Sequence, residues 1–509
     1  MTTYSFPSLR VDGLTMILGL GETGVAAAVW CARHGARLRL VDTRSEPAGL
    51  RALLDQAEDA GEDRRFGPDA LSADALEDVH TIVLSPGLAP NQEPVAGFLA
   101  MAAERDIDVI GEIELFARAL SDMATQGYEP KMLAVTGTNG KTTVTAMTRQ
   151  AVLASGLSAM SAGNIGPAAL TALGHALDDN ALPDVWVLEL SSFQLETLRS
   201  LRPDAAVVLN VTQDHLDWHG DMQAYARAKS RILQSARVAV VNRDDPLVAA
   251  MVPRLNAPEV RSFGLGVPEL EGDLGLENSG GMIWLTASEA QDFDVPVSSG
   301  RRKKGQAELV RNPGRVTRLM PSDALRVRGA HNALNALAAL ALGRSLELGW
   351  AGMLRAMREY AGEPHRMEFV RAIAEVEFVN DSKGTNVGAT VAALEGSEKK
   401  VVLIAGGLGK GQDFSLLTRA ARNAARAVVL IGQDAEAIAQ ALRPADVPMS
   451  RADSMAQAVR QAFELAQAGD MVLLSPACAS MDMFKNYPHR GQVFVDEVRE
   501  LALDRGEIE

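Results

Sequence analysis

The stretch LAVTGTNGKTTVTAM, Leu133 to Met147, decides the fold. An apolar run passes into a turn with two glycines, then a lysine, two threonines and a helix-forming segment. Strand, glycine turn and helix in that order form the unit from which a parallel sheet with crossover helices is built. The same turn suits a nucleoside triphosphate. The backbone of Gly137, Thr138, Asn139 and Gly140 and the following helix N-terminus, at Lys141, Thr142 and Thr143, would cradle phosphates. Lys141 would offset terminal phosphate charge, and Thr142 would ligate a divalent cation. Val135 stands where G-x-x-x-x-G-K-[ST] requires its first glycine, so the loop is the shorter G-x-x-G-K-T form. A plain glycine turn with a solvated lysine is the alternative, and the flanking strand and helix count against it.

Upstream, runs such as MILGL, LRLVD and TIVLSP alternate with helical patterns from Met16 to about Leu120. GLGETG, Gly19 to Gly24, is a G-x-G-x-x-G turn between one strand and a helix expected over Val25 to His34. Asp42 ends the next strand at about the spacing for a ribose contact. Taken alone, this window leaves a dinucleotide, another nucleotide and a structural turn all open. Glycine and proline in SDMATQGYEPK place a boundary near residue 125, and GEPHR places a second near 363. Downstream of that, VVLIAGG, AVVLIG and MVLLSPA read as parallel strands covered on both faces. Three α/β units result, 1–125, 126–362 and 363–509, each with a mainly parallel sheet flanked by helices. The interval 288–322, with RRKK at 301–304, is expected to be an exposed loop or hairpin insertion.

A chain of 509 residues with 47% hydrophobic content has room for about three cores, as length alone suggests. The net charge of -15 disfavours nucleic acid and anionic membrane surfaces. Cys31 and Cys478 lie far apart with no metal-ligand spacing, consistent with reduced thiols. No basic-then-apolar leader opens the sequence and no run approaches the roughly 18 apolar residues of a membrane span, so a soluble cytoplasmic protein is expected.

Further acidic, basic and imidazole groups fall at strand ends. Glu189 follows the apolar run VWVL, where an acid can reach a magnesium ion that also touches phosphates. His215, in NVTQDHLDWHG, follows another strand, and polar surface is the ordinary fate of such a histidine. In DMQAYARAKSRIL, Lys229 is in helical register with Met222, Tyr225 and Ala226, on the apolar face. Desolvation there would leave a neutral amine able to take up carbon dioxide as a carbamate; an ammonium snorkelling to the helix edge is the alternative.

Together TGTNGKTT, GNIG, LELSSFQLE, NVTQDHLDWH, YARAKSRI, HNALNA, PHRMEFV and NDSKGTN make the chain resemble the Mur ligases, ATP-dependent amide-forming enzymes of peptidoglycan precursor synthesis. GGLGKGQDFSLL and LLSPACASMDMFKNYPHRGQVF resemble the branch that adds D-glutamate. The resemblance implies Rossmann-like first and third domains around a P-loop ATPase-like second, with UDP-N-acetylmuramoyl-L-alanine, D-glutamate and ATP as reactants. GLGETG would then cradle the uridine nucleotide, with Glu22 and Thr23 near phosphates and Asp42, Thr43 and Arg44 near uridine. Gly87 and Asn164 would also touch the nucleotide sugar. Asn332 and Asn335 would approach adenine, and Arg366 and Asp381 the ATP. Glu189, His215 and carbamylated Lys229, with Thr142, would hold two magnesium ions. Lys383, Thr385, Lys410, Ser480 and Tyr487 match positions implied for D-glutamate; Leu408 departs where relatives can carry an acid, and Tyr487 where phenylalanine is frequent. A monomer is expected. A related ligase for another amino acid is the nearest rival. A nicotinamide dehydrogenase would leave the phosphate loop and Lys229 unexplained, and a non-catalytic nucleotide regulator would leave the metal set unexplained.

Overall fold

The computed structural model describes residues 4–507 except 58, 59, 61, 62, 253–258, 291–310 and 398. Three sheets follow one another along the chain. The first comprises β1 (Leu14–Leu18), β2 (Arg37–Asp42), β3 (Asp63–Phe66), β4 (Val79–Leu84) and β5 (Asp108–Ile110), all parallel in the order β3-β2-β1-β4-β5. The helix after β1 runs Glu22–Arg33, three residues earlier than the apolar pattern suggested. It starts inside GLGETG because Gly24 lets it close onto β1: a Cβ there would lie 1.9 Å from the Gly19 carbonyl oxygen.

The second sheet holds β6 (Lys131–Thr136), β7 (Ala159–Gly163), β8 (Val185–Glu189), β9 (Ala205–Val208), β10 (Val238–Asn242), β11 (Glu259–Phe263), β12 (Leu274–Ser279), β13 (Met282–Glu289) and β14 (Arg315–Pro321). Their order is β14-β13-β12-β11-β10-β9-β6-β8-β7. The parallel part contains β6, whose five-residue stretch against β8 runs from Lys131 opposite Val185 to Val135 opposite Glu189. β12, β13 and β14 form an antiparallel extension at one edge. The centre of the 288–322 interval, with its RRKK run, lies outside the described residues. Its two ends are sheet: Glu289 closes β13 opposite Arg315 of β14, and Met320 is buried in the core.

The third sheet contains β15 (Glu368–Ile373), β16 (Val376–Asn380), β17 (Val401–Gly406), β18 (Ala425–Ile431), β19 (Met449–Arg451) and β20 (Met471–Leu474), ordered β15-β16-β20-β17-β18-β19. All pairs are parallel except β15 with β16. β17 is buried throughout, as its unbroken apolar run requires.

The helix Glu112–Ala124 joins the first two sheets by more than chain connectivity. Two acids of its first turn reach across to the second unit. Glu112 Oε1 accepts the Leu170 N–H at 2.7 Å, at the start of the helix Ala169–Asp178. Glu114 Oε2 accepts the N–H groups of Arg199 and Ser200 at 2.8 and 2.9 Å. One apolar cluster runs from Ile17 and Val25 through Phe116 and Leu120 to Trp186 and Leu188. Among the described residues, no such cluster crosses from the second sheet to the third.

Burial pushes the Glu112 carboxyl up to about 7, opposed by the N–H groups of Leu170 and Ala169. Its Oε2 has no hydrogen-bond partner among the described residues. A raised acid stabilises the fold fully below its unfolded pKa, roughly 4.3, and that contribution is lost as pH rises through about 7, where the fold must carry a buried carboxylate. Glu112→Gln keeps an acceptor for Leu170 without an ionisable proton. Its melting temperature relative to the unsubstituted protein should climb between about pH 5 and pH 8. A difference that stays flat with pH would refute the assignment.

Candidate active site

The phosphate loop is held open from below. Gly137 has φ 154° and Gly140 φ 83°, both in the region that favours glycine. A Cβ on Gly140 would meet Asn335 Oδ1 at 2.6 Å, and one on Gly137 would meet Leu209 Cβ at 2.9 Å. Asn210, just beyond β9, clamps the loop. Its Oδ1 accepts the Asn139 N–H at 2.8 Å and its Nδ2 donates to the Asn139 carbonyl at 3.1 Å. Thr138 Oγ1 accepts the Thr212 N–H at 3.0 Å and lies 3.1 Å from the Tyr225 hydroxyl. Lys141, at the start of the helix Lys141–Ala154, curls back so that its Nζ donates to the carbonyls of Gly137 and Thr138, each at 2.9 Å. Burial lowers its pKa, with Glu189 and Asp214 opposing. An entering phosphate offers this amine a stronger acceptor than two neutral carbonyls.

A line of contacts runs on from there to the other two units. Thr142 Oγ1 donates to Glu189 Oε2 at 2.9 Å, and Asn164 Nδ2 donates to Glu189 Oε1 at 2.8 Å. Arg366, from the third unit, donates to the Thr142 hydroxyl. On the other side Gly166 faces Glu22 of the first unit, whose Oε1 would be 3.5 Å from a Cβ placed there. Thr142 and Glu189 supply hard oxygen donors suited to magnesium. Among the described residues no three His, Cys, Asp or Glu side chains converge at ligand distances.

His215 and Lys229 stand beside that pair, not on it. His215 begins the short helix Leu216–His219 with φ 53°, its ring edge-on to Phe193 and its Nε2 3.5 Å from Asp214 Oδ2. Burial lowers its pKa to about 4 against the pull of Asp214, leaving a neutral imidazole at neutral pH. Lys229 lies on the helix Met222–Ser235 and is 1% exposed. Its Nζ donates to the Gly137 carbonyl at 3.0 Å and sits 4.4 Å from the centroid of the Tyr225 ring. Burial, then the charge of Lys141, drives its pKa well below the ordinary lysine value. The amine is therefore enclosed at the back of the phosphate loop and does not snorkel to water.

In the first unit, Ser85 Oγ donates to the Gly19 carbonyl at 2.6 Å and shapes the GLGETG turn. Asp42 is buried and already occupied: it accepts the Leu20 N–H at 2.8 Å and pairs with the exposed Arg44 at 2.7 Å. It braces the turn, while Glu22 and Arg44 are exposed, Thr23 and Thr43 half-buried, and Gly87 has open space around it. Asn332 and Asn335 lie one turn apart on the helix Ala330–Ser345, joined at 3.2 Å, with Asn335 against Gly140.

The third unit faces the loop with Asp381, Lys383 and Thr385 after β16. Asp381 accepts the Ser475 hydroxyl at 2.7 Å and the Met367 N–H at 3.3 Å; burial raises it to about 6. Lys383 Nζ lies 3.9 Å over the Tyr487 ring, and burial lowers it to about 8. The Thr385 N–H turns back to the Lys383 carbonyl. Lys410 has φ 53° and its charge reaches His215. Ser480 is buried, and its carbonyl accepts the Phe484 N–H at 2.8 Å. Leu408 acts here through its backbone, exchanging two 2.9 Å bonds with Ala479.

Sequence reading passed over Asn210, Asp214, Ser85, Ser475 and Asn386 as individual residues. The available signal is faint: Ser85, Asn210 and Ser475 lie just past strand ends, and Asp214 and Asn386 lie further along the loops that follow.

Family models match all three units. The MurD-like N-terminal domain of Mur ligases matches residues 14–111, the Mur ligase middle domain 135–343, and the Mur ligase glutamate ligase domain 365–478. The chain belongs to the Mur ligase family. It is 64% identical over 497 residues to the UDP-N-acetylmuramoylalanine--D-glutamate ligase of Bordetella bronchiseptica, covering 97% of this chain and 98% of that one. It is 51% identical over 502 residues to the protein of that name from Burkholderia cenocepacia, covering 98% and 99%. The fold is similar to that of UDP-N-acetylmuramate-alanine ligase MurC from Thermotoga maritima, with a TM-score of 0.54, 18% identity and coverage of 96% of this chain and 99% of that one.

Proposed function

We propose that this chain is an ATP-dependent ligase that joins D-glutamate to UDP-N-acetylmuramoyl-L-alanine, in the cytoplasm and as a monomer. The full-length identity to ligases of that name carries the reading. Among the described residues no helix is long and apolar enough to cross a membrane.

A carboxylate reacts with an amine only after one of its oxygens becomes a leaving group. The alanyl carboxylate attacks the γ-phosphorus of ATP, the bond to the bridging oxygen breaks, and ADP leaves an acyl phosphate. The neutral amine of D-glutamate then attacks the acyl carbon, loses a proton, and phosphate departs from the tetrahedral intermediate. Lys141 and the N–H groups of the phosphate loop bind the transferring phosphoryl group, and Asn332 and Asn335 flank the adenine side. Thr142 and Glu189 would hold magnesium, with His215 and carbamylated Lys229 completing a two-ion set, and the ions would supply positive charge against the phosphates. Lys383, Thr385, Lys410, Ser480 and Tyr487 receive the amino acid, with the two lysines matching its two carboxylates. Arg366 and Asp381 connect that pocket to ATP.

Phosphate release from ATP should require both UDP-N-acetylmuramoyl-L-alanine and D-glutamate. Equal turnover with L-glutamate, or with another amino acid such as a diamino acid, would transfer the protein to a different branch of the family.

A further inference from the structure

Asn386 follows Thr385 in the third unit and is the N-cap of the helix Val387–Glu395, its Oδ1 accepting the Ala389 N–H at 2.9 Å. The same side chain leaves its own unit. Its Nδ2 donates to Asn139 Oδ1 at 3.0 Å and to Asp214 Oδ2 at 3.3 Å, and its Oδ1 also accepts from Asn139 Nδ2 at 3.3 Å. It is 4% exposed. Asn139 lies in the phosphate loop, with its backbone clamped by Asn210, and Asp214 immediately precedes His215. The helix approaches closely because residue 388 is glycine: a Cβ there would lie 3.1 Å from Thr212 Oγ1 and 3.4 Å from Asn139 Nδ2.

We propose that Asn386 is a positioning residue that couples docking of the third unit to the shape of the phosphate loop. One amide satisfies three polar groups belonging to two units, so it is fully bonded only when the units are together. With the units apart, Asn139 and Asp214 lose their shared partner and the loop side chain is free to turn. Phosphoryl transfer is thereby favoured in the arrangement that also holds the amino-acid pocket over the acyl carbon, which shortens the exposure of an acyl phosphate to water. This rests on the ligase reading above.

Asn386→Ser is the informative variant, because serine caps a helix about as well as asparagine but is too short to bridge to Asn139 and Asp214. It should keep its melting temperature and its KM for the nucleotide sugar. Its kcat should fall on the order of tenfold or more, the scale of losing a hydrogen bond to a charged group, and its radius of gyration in solution should grow. Asn386→Asp sets two carboxylates against each other and should be weaker still. Adding Asp214→Asn restores an amide–carboxylate pair and should raise the activity of the double variant above that of Asn386→Asp alone. Wild-type kcat and radius of gyration in Asn386→Ser, or a double variant no better than Asn386→Asp, overturns the coupling. If the unsubstituted protein shows no D-glutamate-dependent phosphate release, the ligase reading falls instead, and the scattering comparison decides the coupling by itself.

Discussion

Lys141→Ala protein should fold normally, bind UDP-N-acetylmuramoyl-L-alanine, and turn over at least about a hundredfold more slowly than the unsubstituted chain. The lysine amine is held at the Gly137–Gly140 turn by two carbonyls that a phosphate would replace. Removing it leaves developing negative charge on the transferred phosphoryl group without a mobile cation. Binding of the nucleotide sugar should survive, because the GLGETG turn belongs to the first sheet and is shaped by Ser85 and Asp42. Titration calorimetry with the nucleotide sugar, beside a phosphate-release assay, separates the two effects. Joint loss of both in a folded variant would contradict separate sites.

Lys229→Ala should be nearly inactive and partly rescued by formate or acetate. An enclosed amine whose pKa lies well below the ordinary value sheds its proton more readily than a surface lysine, and a neutral amine adds to carbon dioxide. The product, after loss of a proton, is a carbamate with one negative charge and two oxygen acceptors. Such a group at the back of the loop complements Glu189 and the neutral ring of His215 in a way that an ammonium cannot. Deleting the side chain removes the carbamate head along with its stem, and a small free carboxylate can stand in for that head, which explains the expected rescue. Lys229→Arg should stay inactive, since guanidinium keeps its charge and forms no carbamate. A bare amine at Lys229 in crystals grown with bicarbonate, together with normal activity of the alanine variant, would sink the carbamate.

The local part of this architecture was open to sequence reading, and the tertiary part was not. Leu133 to Met147 shows strand, turn and helix within fifteen consecutive positions, because glycine, lysine and apolar residues each have one natural place in such a unit. Lys229 declared its apolar face through offsets of three, four and seven. The antiparallel strands β12 to β14 were hidden, since only β13 opens on an apolar run, Met282 to Leu285, while β12 and β14 mix apolar with polar residues. Asp42 reads in the sequence only as a strand-end acid, and its bonds to the Leu20 N–H and to Arg44 are visible only in the fold. Asn386 and Asp214 are 172 positions apart, and no periodicity connects residues at that distance.

The acids Glu112 and Glu114 weld the first sheet to the second, whereas the third meets the second through polar contacts such as Arg366 with Thr142 and Asn386 with Asn139. Counted by sheets the molecule has three parts, but counted by joints it has two: a broad anvil and a single hammer. In the segment between the helix Trp350–Glu359 and β15, Gly362, His365 and Met367 all have positive φ. A small molecule wedged between the Gly137–Gly140 turn and the start of the helix Val387–Glu395 would therefore act as a doorstop. It would part Asn139 from Asn386 without touching the GLGETG turn, which belongs to the anvil.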